Sequence, residues 1–394
     1  MLVRKAFKFR LYPNRAQQAA LATQFGHARY VYNHFLSVRR EYYATSGAGL
    51  SYYDTTRMLT TLKRDAEHSW LRAATSQVLQ QALLDLERAF VNFWAGRARY
   101  PRFKSKHHKQ SIRFPQGIKV DPDSRRTYLP KVGWVRTIFH RQLQGQLKNV
   151  TVSRNKSGRY YAAFQVEVEV AQPTFQGEAN GIDLGLGVFA ALADGRQIAN
   201  PRHLVRAERR LARGQRCLAR KRRGSRGWET QRLRVARQYE KVANQRADFQ
   251  HKLSRQLVEG HSLLALEDLH IQGMLRNRRL GKHIGDAGWG SFVRMLTYKG
   301  AWYGCRVVMV DRWYPSSKRC SECGADMAAL PLHIRSWTCP HCRERHDRDV
   351  NAARNLLKQA TVGTTGSHAD GVHVSPVKLQ AGTSKSEAPQ LAAG

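Results

Sequence analysis

Acidic residues are scarce in this chain. It carries 29 Asp and Glu against 67 Lys and Arg, a formal charge of +38 over 394 residues. A globular protein this basic repels itself unless it meets a polyanion, and nucleic acid is the natural one. Long apolar runs are lacking as well. No stretch of about 18 apolar residues exists to span a bilayer, which argues against a membrane partner. The N-terminus, MLVRKAFKFRLYPN, alternates apolar and basic residues and lacks the continuous apolar core of a signal peptide. The expected location is therefore the cytoplasm or the nucleoid. No internal repeat is visible. Cysteines number only six, and an intracellular-type chain gives disulfides little role. The apolar share, 42%, is ordinary, so two or three domains with sizeable cores are affordable.

Four of the cysteines are not scattered. They form two CxxC pairs, Cys320/Cys323 and Cys339/Cys342. Each pair presents two thiolates from one tight loop, and the gap between the pairs suits a four-cysteine Zn²⁺ site. Gly324 and Pro340 fit the turns this requires. His333, His341 and His346 lie close by, but four cysteines already fill a tetrahedron. Cys217 and Cys305 have no partner pattern and read as ordinary residues. Directly behind the second pair, HDRDVNAARN opens a helix with two acids, Asp347 and Asp349.

Taken in order, residues 4–11 alternate as a strand does, and Pro13 ends it. Asn14 with Gln17 resembles a capping box, opening a helix to about residue 43 with Leu21, Phe25, Ala28, Tyr32 and Phe35 at helical spacing. Further helices are predicted over about 54–66 and 76–96, the second with a wide apolar stripe that reads as core. Residues 96–113 interleave basic and aromatic side chains, a pattern that suits phosphate contact and base stacking; Arg102 and Lys104 are the candidates there. Strands then dominate to residue 170, with a hairpin around the turn at 155–158, and 172–178 looks like a linker. Residues 203–246 read as a helix that continues through Phe249, Leu253 and Leu257. Its basic residues, among them Arg209, Arg210, Arg213, Arg220, Lys221 and Arg222, greatly outnumber Glu208, Glu229 and Glu240, which points to a polyanion contact. Residues 281–290 read as a glycine-rich loop, 289–303 as a helix and 305–310 as a strand. The Gly/Ser/Ala/Thr-rich segment 361–394 has the composition of a disordered tail.

Three acids sit where acids are expensive. Asp183 lies in GIDLGLG, an apolar strand. An acid there costs several kcal/mol, roughly, unless it is paired or holds a metal; the bland alternative is a turn aspartate capping Gly185. Glu267 ends the apolar run SLLALE, followed by Asp268. Asp349 opens the last helix, with Asp347 as its rival, one of the two serving only as a cap. Strands and helices in this order match the ribonuclease H-like plan, which brings these positions together. Carboxylates sharing a site repel unless divalent cations intervene, and Mg²⁺ (or Mn²⁺) on hard oxygen ligands suits phosphodiester cleavage.

GIDLGLG, ALEDL, DAGWGSFVRMLTYKGAWYG, YPSSKRCSECG, WTCPHC and HDRDVNAARN together resemble the TnpB family of transposon-encoded, RNA-guided DNA endonucleases, relatives of the type V CRISPR effectors. RKAFKFRLYPN, ARYVYNHFL and YPRFKSK extend the resemblance to about residues 1–358. It implies a mixed α/β and β multi-domain chain. A wedge β-barrel would occupy 1–172, with a helical recognition insertion at about 14–100. A RuvC-like nuclease domain would occupy 179–358, interrupted by the zinc insertion at about 316–346. It implies Asp183, Glu267 and Asp349 as Mg²⁺ ligands, a guide RNA from the transposon end, a double-stranded DNA target and a monomeric protein. Tyr52, Thr56, Ser76 and Gln80 become candidates for reading a short DNA motif beside the target; Ser76 stands where some members have lysine. The rival readings are a DDE-type transposase, which usually ends its acids with Glu, an actin-like or sugar-kinase ATPase using the glycine turn, and a non-catalytic nucleic-acid-binding regulator of transposition.

Overall fold

The computed structural model describes residues 1–107, 109–170, 174, 177–331 and 333–362. By internal contacts the chain divides into two units, Met1–Val170 with Gly214–Arg237, and Ala171–Arg213 with Gln238–Gly394. Of the expected tail at 361–394, only residues 361 and 362 are described, and they belong to the last helix. The rest of it, and most of the expected linker, lie outside the described residues. Among the described residues no helix is long and apolar enough to cross a membrane.

The first unit begins with β1 (Leu2–Tyr12), whose odd-numbered side chains turn inward. Helix α1 (Arg15–Ser46) follows, opened by the Asn14/Gln17 capping box and closed by Gly47 in the left-handed region. Helices α2 (Tyr52–Leu62) and α3 (Ser76–Trp94) flank a short 3₁₀ turn at Ser69–Ala73. Leu21, Phe25, Ala28, Tyr32 and Phe35 of α1 are all buried, as their spacing requires, against the stripe of α3 that starts at Val78 and Leu79. Strands β2 (Gln110–Phe114), β3 (Lys119–Asp121), β4 (Arg126–Leu129), β5 (Gly133–Ile138), β6 (Gln146–Arg154) and β7 (Tyr160–Glu169) complete an antiparallel seven-stranded sheet in the order β2-β6-β7-β1-β5-β4-β3. The expected barrel does not close. β2 and β3 are the two ends of the ladder, and a last strand of only three residues leaves few groups with which to continue it. Helices and sheet share one core, in which each fully buried Leu or Phe contributes roughly 1.5–3 kcal/mol.

The second unit is built on β8 (Ala179–Asp183), β9 (Val188–Leu192), β10 (Gln197–Ala199), β11 (Leu263–Glu267) and β12 (Arg306–Val310), ordered β10-β9-β8-β11-β12. β8, β11 and β12 are parallel; β9 and β10 run back as a meander. Between β10 and β11 lie α4 (His203–Ala219) and α5 (Arg226–Gly260). The single helix expected over 203–246 is thus a helical hairpin. Gly224 takes a positive φ of 85°, which side-chain-bearing residues avoid, and the Ser225 hydroxyl accepts the Trp228 N–H at the new helix start. The hairpin tip, Gly214–Arg237, counts with the first unit, whereas the sequence reading put the whole of it in the second domain. Helices α6 (Ile271–Met274), α7 (Gly281–Ala287) and α8 (Trp289–Tyr303) follow β11. The expected glycine-rich loop is therefore α7. Its glycines weaken a helix by about 1 kcal/mol each, but Ile284, Asp286 and Ala287 are buried, and the Asp286 carboxylate accepts the Leu204 N–H at 2.9 and 3.0 Å. The chain ends in the hairpin β13 (Ser336–Thr338) and β14 (Arg345–Asp347), then α9 (Arg348–Val362).

Strand parity decides which face holds the chemistry. Leu264 and Leu266 of β11, with Ile182 of β8, pack under α5 and α8. Leu263 and Ala265 pack with Leu356 and Ala360 of α9. Because side chains alternate along a strand, Glu267 and Asp183 fall on the α9 side. Helix α9 lies so close to β8 that a Cβ at Gly181 would stand 1.9 Å from the Ala353 carbonyl oxygen and 3.1 Å from the Leu357 nitrogen. Gly181→Ala should force helix and strand apart. Overpacking of this kind costs about 1–3 kcal/mol, occasionally more, and denaturant unfolding should show at least that loss. Gly49→Ala, whose Cβ would meet nothing within 4 Å, should leave the midpoint unmoved. An unchanged midpoint for Gly181→Ala would contradict the packing.

Candidate functional site

Asp183 ends β8 and Glu267 ends β11. These strands pair in parallel up to Ile182–Leu266, so the two acids are neighbours one step beyond. Asp349 stands in the first turn of α9, the helix seated over that face of the sheet. Burial pushes the Asp183 carboxyl up to about 7, with the charges of Asp349 and Glu267 adding to the rise and Arg348 and Arg335 opposing it. Glu267 is raised as well, by burial first and then by Asp268, with Arg312 opposing. Asp183 thus feels the charges of two acids carried by two other elements, Glu267 of β11 and Asp349 of α9. A buried carboxyl that neighbouring acids push up, as at Asp183, is what a divalent cation relieves, and three carboxylates are the hard oxygen donors such an ion takes.

Asp347 behaves differently. Its Oδ1 accepts the N–H groups of Asp349 and Val350, both at 3.0 Å, and caps α9. Asp349 Oδ1 instead accepts a hydrogen bond from Arg335 Nη1 at 3.1 Å. Arg335 and Arg348, which bias the cluster, and Arg312, bonded to Asp268, were not singled out from sequence. Their signal is spatial: none belongs to a motif that requires a cation.

The four CxxC sulfurs converge, with all ligand atoms within 4.8 Å of one another. Cys320 Sγ lies 3.6 Å from Cys342 Sγ, and Cys323 Sγ 3.6 Å from Cys339 Sγ. A tetrahedron with Zn–S bonds of about 2.3 Å has edges of about 3.8 Å, so the cluster fits zinc. The N–H of Cys342, with that of His341 and neighbouring thiols, lowers the Cys339 thiol, while Cys320 and Cys342 are raised, so the thiols share their protons as a group. Of the nearby histidines, buried His346 places Nε2 3.1 Å from Cys320 Sγ, beside the cluster.

The knuckle is clamped to α9 by two buried asparagines one helical turn apart. Asn351 Oδ1 accepts the Ser321 N–H at 2.8 Å, and its Nδ2 donates to Arg319 O at 2.7 Å. Asn355 Nδ2 donates to Ser316 O and Arg319 O. Lys358 Nζ donates to Ser321 O on the same face. In the sequence both asparagines lie within HDRDVNAARN. Their i, i+4 spacing on a helix otherwise buried by apolar residues was the available signal.

Other candidates lie elsewhere. Arg209, Arg210, Arg213, Arg220, Lys221 and Arg222 are exposed along α4 and the hairpin turn. Arg102 and Lys104 are both exposed; the Lys104 ammonium lies 3.8 Å over the Tyr32 ring, and its backbone is bonded to Asn33 on both sides. In the first unit Tyr52 packs against the core and Thr56 Oγ1 donates to Tyr52 O at 2.9 Å. Ser76 and Gln80 are exposed one turn apart on α3, with Lys63 Nζ 3.3 Å from Ser76 Oγ.

Comparison with known proteins places the chain among relatives. Three family models match, described as "Helix-turn-helix domain" over residues 1–48, "Probable transposase" over 163–278 and "Cas12f1-like, TNB domain" over 289–356. Residues 1–48 are in fact a strand and one 32-residue helix, not two helices. The chain is 38% identical over 358 residues to a Streptomyces pristinaespiralis protein named "Putative RNA-guided DNA endonuclease", covering 90% of this chain and 89% of the relative. It is 35% identical to "Putative RNA-guided DNA endonuclease InsQ" of Escherichia coli (strain K12), covering 90% and 91%. Among solved structures, the protein in "Cryo-EM structure of the Cas12f1-sgRNA-target DNA complex" shares the fold at a TM-score of 0.53 and 13% identity, over 90% of this chain and 99% of that one.

Two outcomes are expected here. Elemental analysis of the purified protein should find one zinc per chain, and Cys339→Ser should lower both zinc content and melting temperature; zinc-free native protein would refute the cluster as a metal site. The second concerns pH. Asp183 has an ordinary value of 3.8 and about 7 when folded, so in chelator its proton stabilises the fold at low pH and that contribution is lost as pH rises from about 4 through 7. Asp183→Asn should therefore be more stable than the parent above pH 7, by up to the order of 4 kcal/mol, with the difference shrinking towards pH 4. Parallel stability profiles for the two proteins would exclude the burial and repulsion described.

Proposed function

The chain belongs to the TnpB family of RNA-guided DNA endonucleases, and from that premise we propose that it cuts DNA at Asp183, Glu267 and Asp349, directed by an RNA from the end of its own transposable element. The observation that carries the site is the meeting of three carboxylates from β8, β11 and α9, with Asp183 held near neutrality. The sheet order, an antiparallel meander joined to parallel strands, supports a ribonuclease H-like, RuvC-type reading of the second unit. The first unit's sheet and three helices support a wedge with a recognition insertion.

Asp183, Glu267 and Asp349 would hold the divalent ions, which when bound would supply activation of water and stabilisation of the charge that develops on the leaving oxygen. The chain's own residues prepare that site. Asp183 and Glu267 are set by the rigid ends of two paired strands, which holds them to a narrow range of separation. Asp347 caps the helix and leaves Asp349 for the metal. Arg335, exposed beside Asp349, is placed to meet a phosphate. The zinc cluster is closed and does no chemistry; through Asn351 and Asn355 it holds the helix that carries Asp349. The exposed cations of α4 and its turn suit an RNA backbone, and base pairing then reads the target while the protein reads shape and a short flanking motif. We propose a monomeric ribonucleoprotein acting on double-stranded DNA, with Tyr52, Thr56, Ser76 and Gln80 as candidates for the motif.

The test is reprogramming. The guide segment of the co-purified RNA is replaced, and a plasmid library bearing the matching target with randomised flanks is offered in Mg²⁺. Cleavage should follow the new guide, require the RNA, and vanish with Asp183→Ala, Glu267→Ala or Asp349→Ala while target binding persists; Asp347→Ala should cost less than Asp349→Ala. Cleavage indifferent to the guide would defeat the reading. Strand-transfer products in the same reactions would instead favour the transposase for which the central family model is named.

A further inference from the structure

Trp313 is 85% exposed, the most exposed large hydrophobic side chain among the described residues. Its backbone is nevertheless held firmly. The Trp313 N–H donates to Asp311 Oδ1 at 2.7 Å, the Tyr314 N–H to Asp311 O at 3.1 Å, and the Ser316 N–H to Tyr314 O at 2.7 Å. Arg312 bonds the carboxylate of Asp268, the residue after Glu267. The turn is therefore anchored to the end of β11 that carries the acid. β12 reaches the level of Glu267 at Val310, and the Asp268 N–H donates to Val310 O at 2.9 Å. Trp313 is three residues further on. A chain advances at most about 3.6 Å per residue and neighbouring strands lie about 4.8 Å apart, so its Cα is within roughly 16 Å of that of Glu267.

We propose that Trp313 is a base-stacking platform that seats an unpaired nucleotide of the DNA strand beside the scissile phosphate. This rests on the reading of Asp183, Glu267 and Asp349 as the cleavage site. An indole serves no packing purpose when it faces water, whereas its flat face suits any nucleobase, and stacking of this kind tolerates sequence. The surroundings select a nucleic acid over an apolar protein surface. Arg312 adjoins it in sequence, Arg319, doubly bonded to the Asp326 carboxylate, lies 5.5 Å from the ring of Tyr314, and Arg335, bonded to Asp349, is exposed. From a turn whose backbone is held, the ring takes one base while the neighbouring arginines exchange their carboxylate partners for phosphates, so that a flexible single strand presents one phosphodiester to acids that are themselves recessed.

The experiment uses the intact ribonucleoprotein with a guide set to a chosen target, in single-turnover cleavage at saturating protein. Trp313→Ala should slow cleavage roughly 5- to 150-fold with target binding unchanged, and Trp313→Phe should keep most of the rate. An abasic nucleotide is then scanned through the cleaved region of each strand. At one position it should slow the parent protein and leave Trp313→Ala unaffected, because the ring and the base act as a pair. A parent-like rate for Trp313→Ala, a uniform loss of target binding, or a defect equal at every abasic position would overturn the proposal. Asp183→Asn is run in parallel. Cleavage surviving that change removes the site reading, while the abasic scan still decides for or against stacking at Trp313.

Discussion

The close approach of α9 to β8 is the contact on which the second unit depends. Only a residue without a side chain lets the Ala353 carbonyl oxygen come as near to the strand as it does at Gly181. That approach sets the depth of the helix over the sheet and therefore where its first turn ends. Asp349 lies in that turn, and Asp183 lies two residues beyond Gly181 on the same strand face. A helix seated even one side-chain layer higher would separate the acids, since interiors are close-packed and do not stretch continuously. The same helix offers Asn351 and Asn355 to the zinc knuckle. Strand, helix and metal cluster are thus one mechanical assembly, with the carboxylates at its edge.

That assembly concentrates negative charge in a molecule that otherwise avoids it. A chain with a net charge of +38 nonetheless places three acids together and half-buries them. The result is a carboxyl near neutrality at Asp183, a cost the fold bears in the absence of metal. Basic residues close to the cluster moderate it, Arg335 and Arg348 by proximity to Asp183 and Arg312 by proximity to Glu267. Elsewhere the positive charge is left exposed along α4 and its turn.

Much of this was legible in the residues. Two CxxC pairs announce a metal cluster because thiolate spacing is a local property of a tight turn. The Asn14/Gln17 box and the spacing of Leu21 to Phe35 locate α1, since capping and amphipathic periodicity act within one or two turns. The run ending at Glu267 reads as a buried strand because β11 is covered on both faces. The misreadings have equally physical sources. The glycines at 281–290 suggested a loop, but burial of Ile284 and Ala287 outweighed their poor propensity. Helical periodicity ran unbroken in the basic stretch, yet Gly224 and Ser225 turn it back on itself. A barrel was expected where the sheet stays open, because pairing of its ends depends on strand length and stagger that no local pattern records.

The sequence by itself determined the classes of chemistry: a polyanion-binding surface, a four-cysteine cluster and acids on apolar elements, all properties of residue type and short spacing. Tertiary structure alone decided which acid does what. Asp347 and Asp349 are two residues apart and chemically alike, yet one turns to the helix N–H groups and the other to the cluster at Asp183. The same holds for Arg335, which the β13–β14 hairpin sets against Asp349, and for Trp313, which the pairing of β11 with β12 brings within roughly 16 Å of Glu267. Such roles come from contacts between residues far apart in the chain, and these exist only once the strands have paired and the last helix has settled onto them.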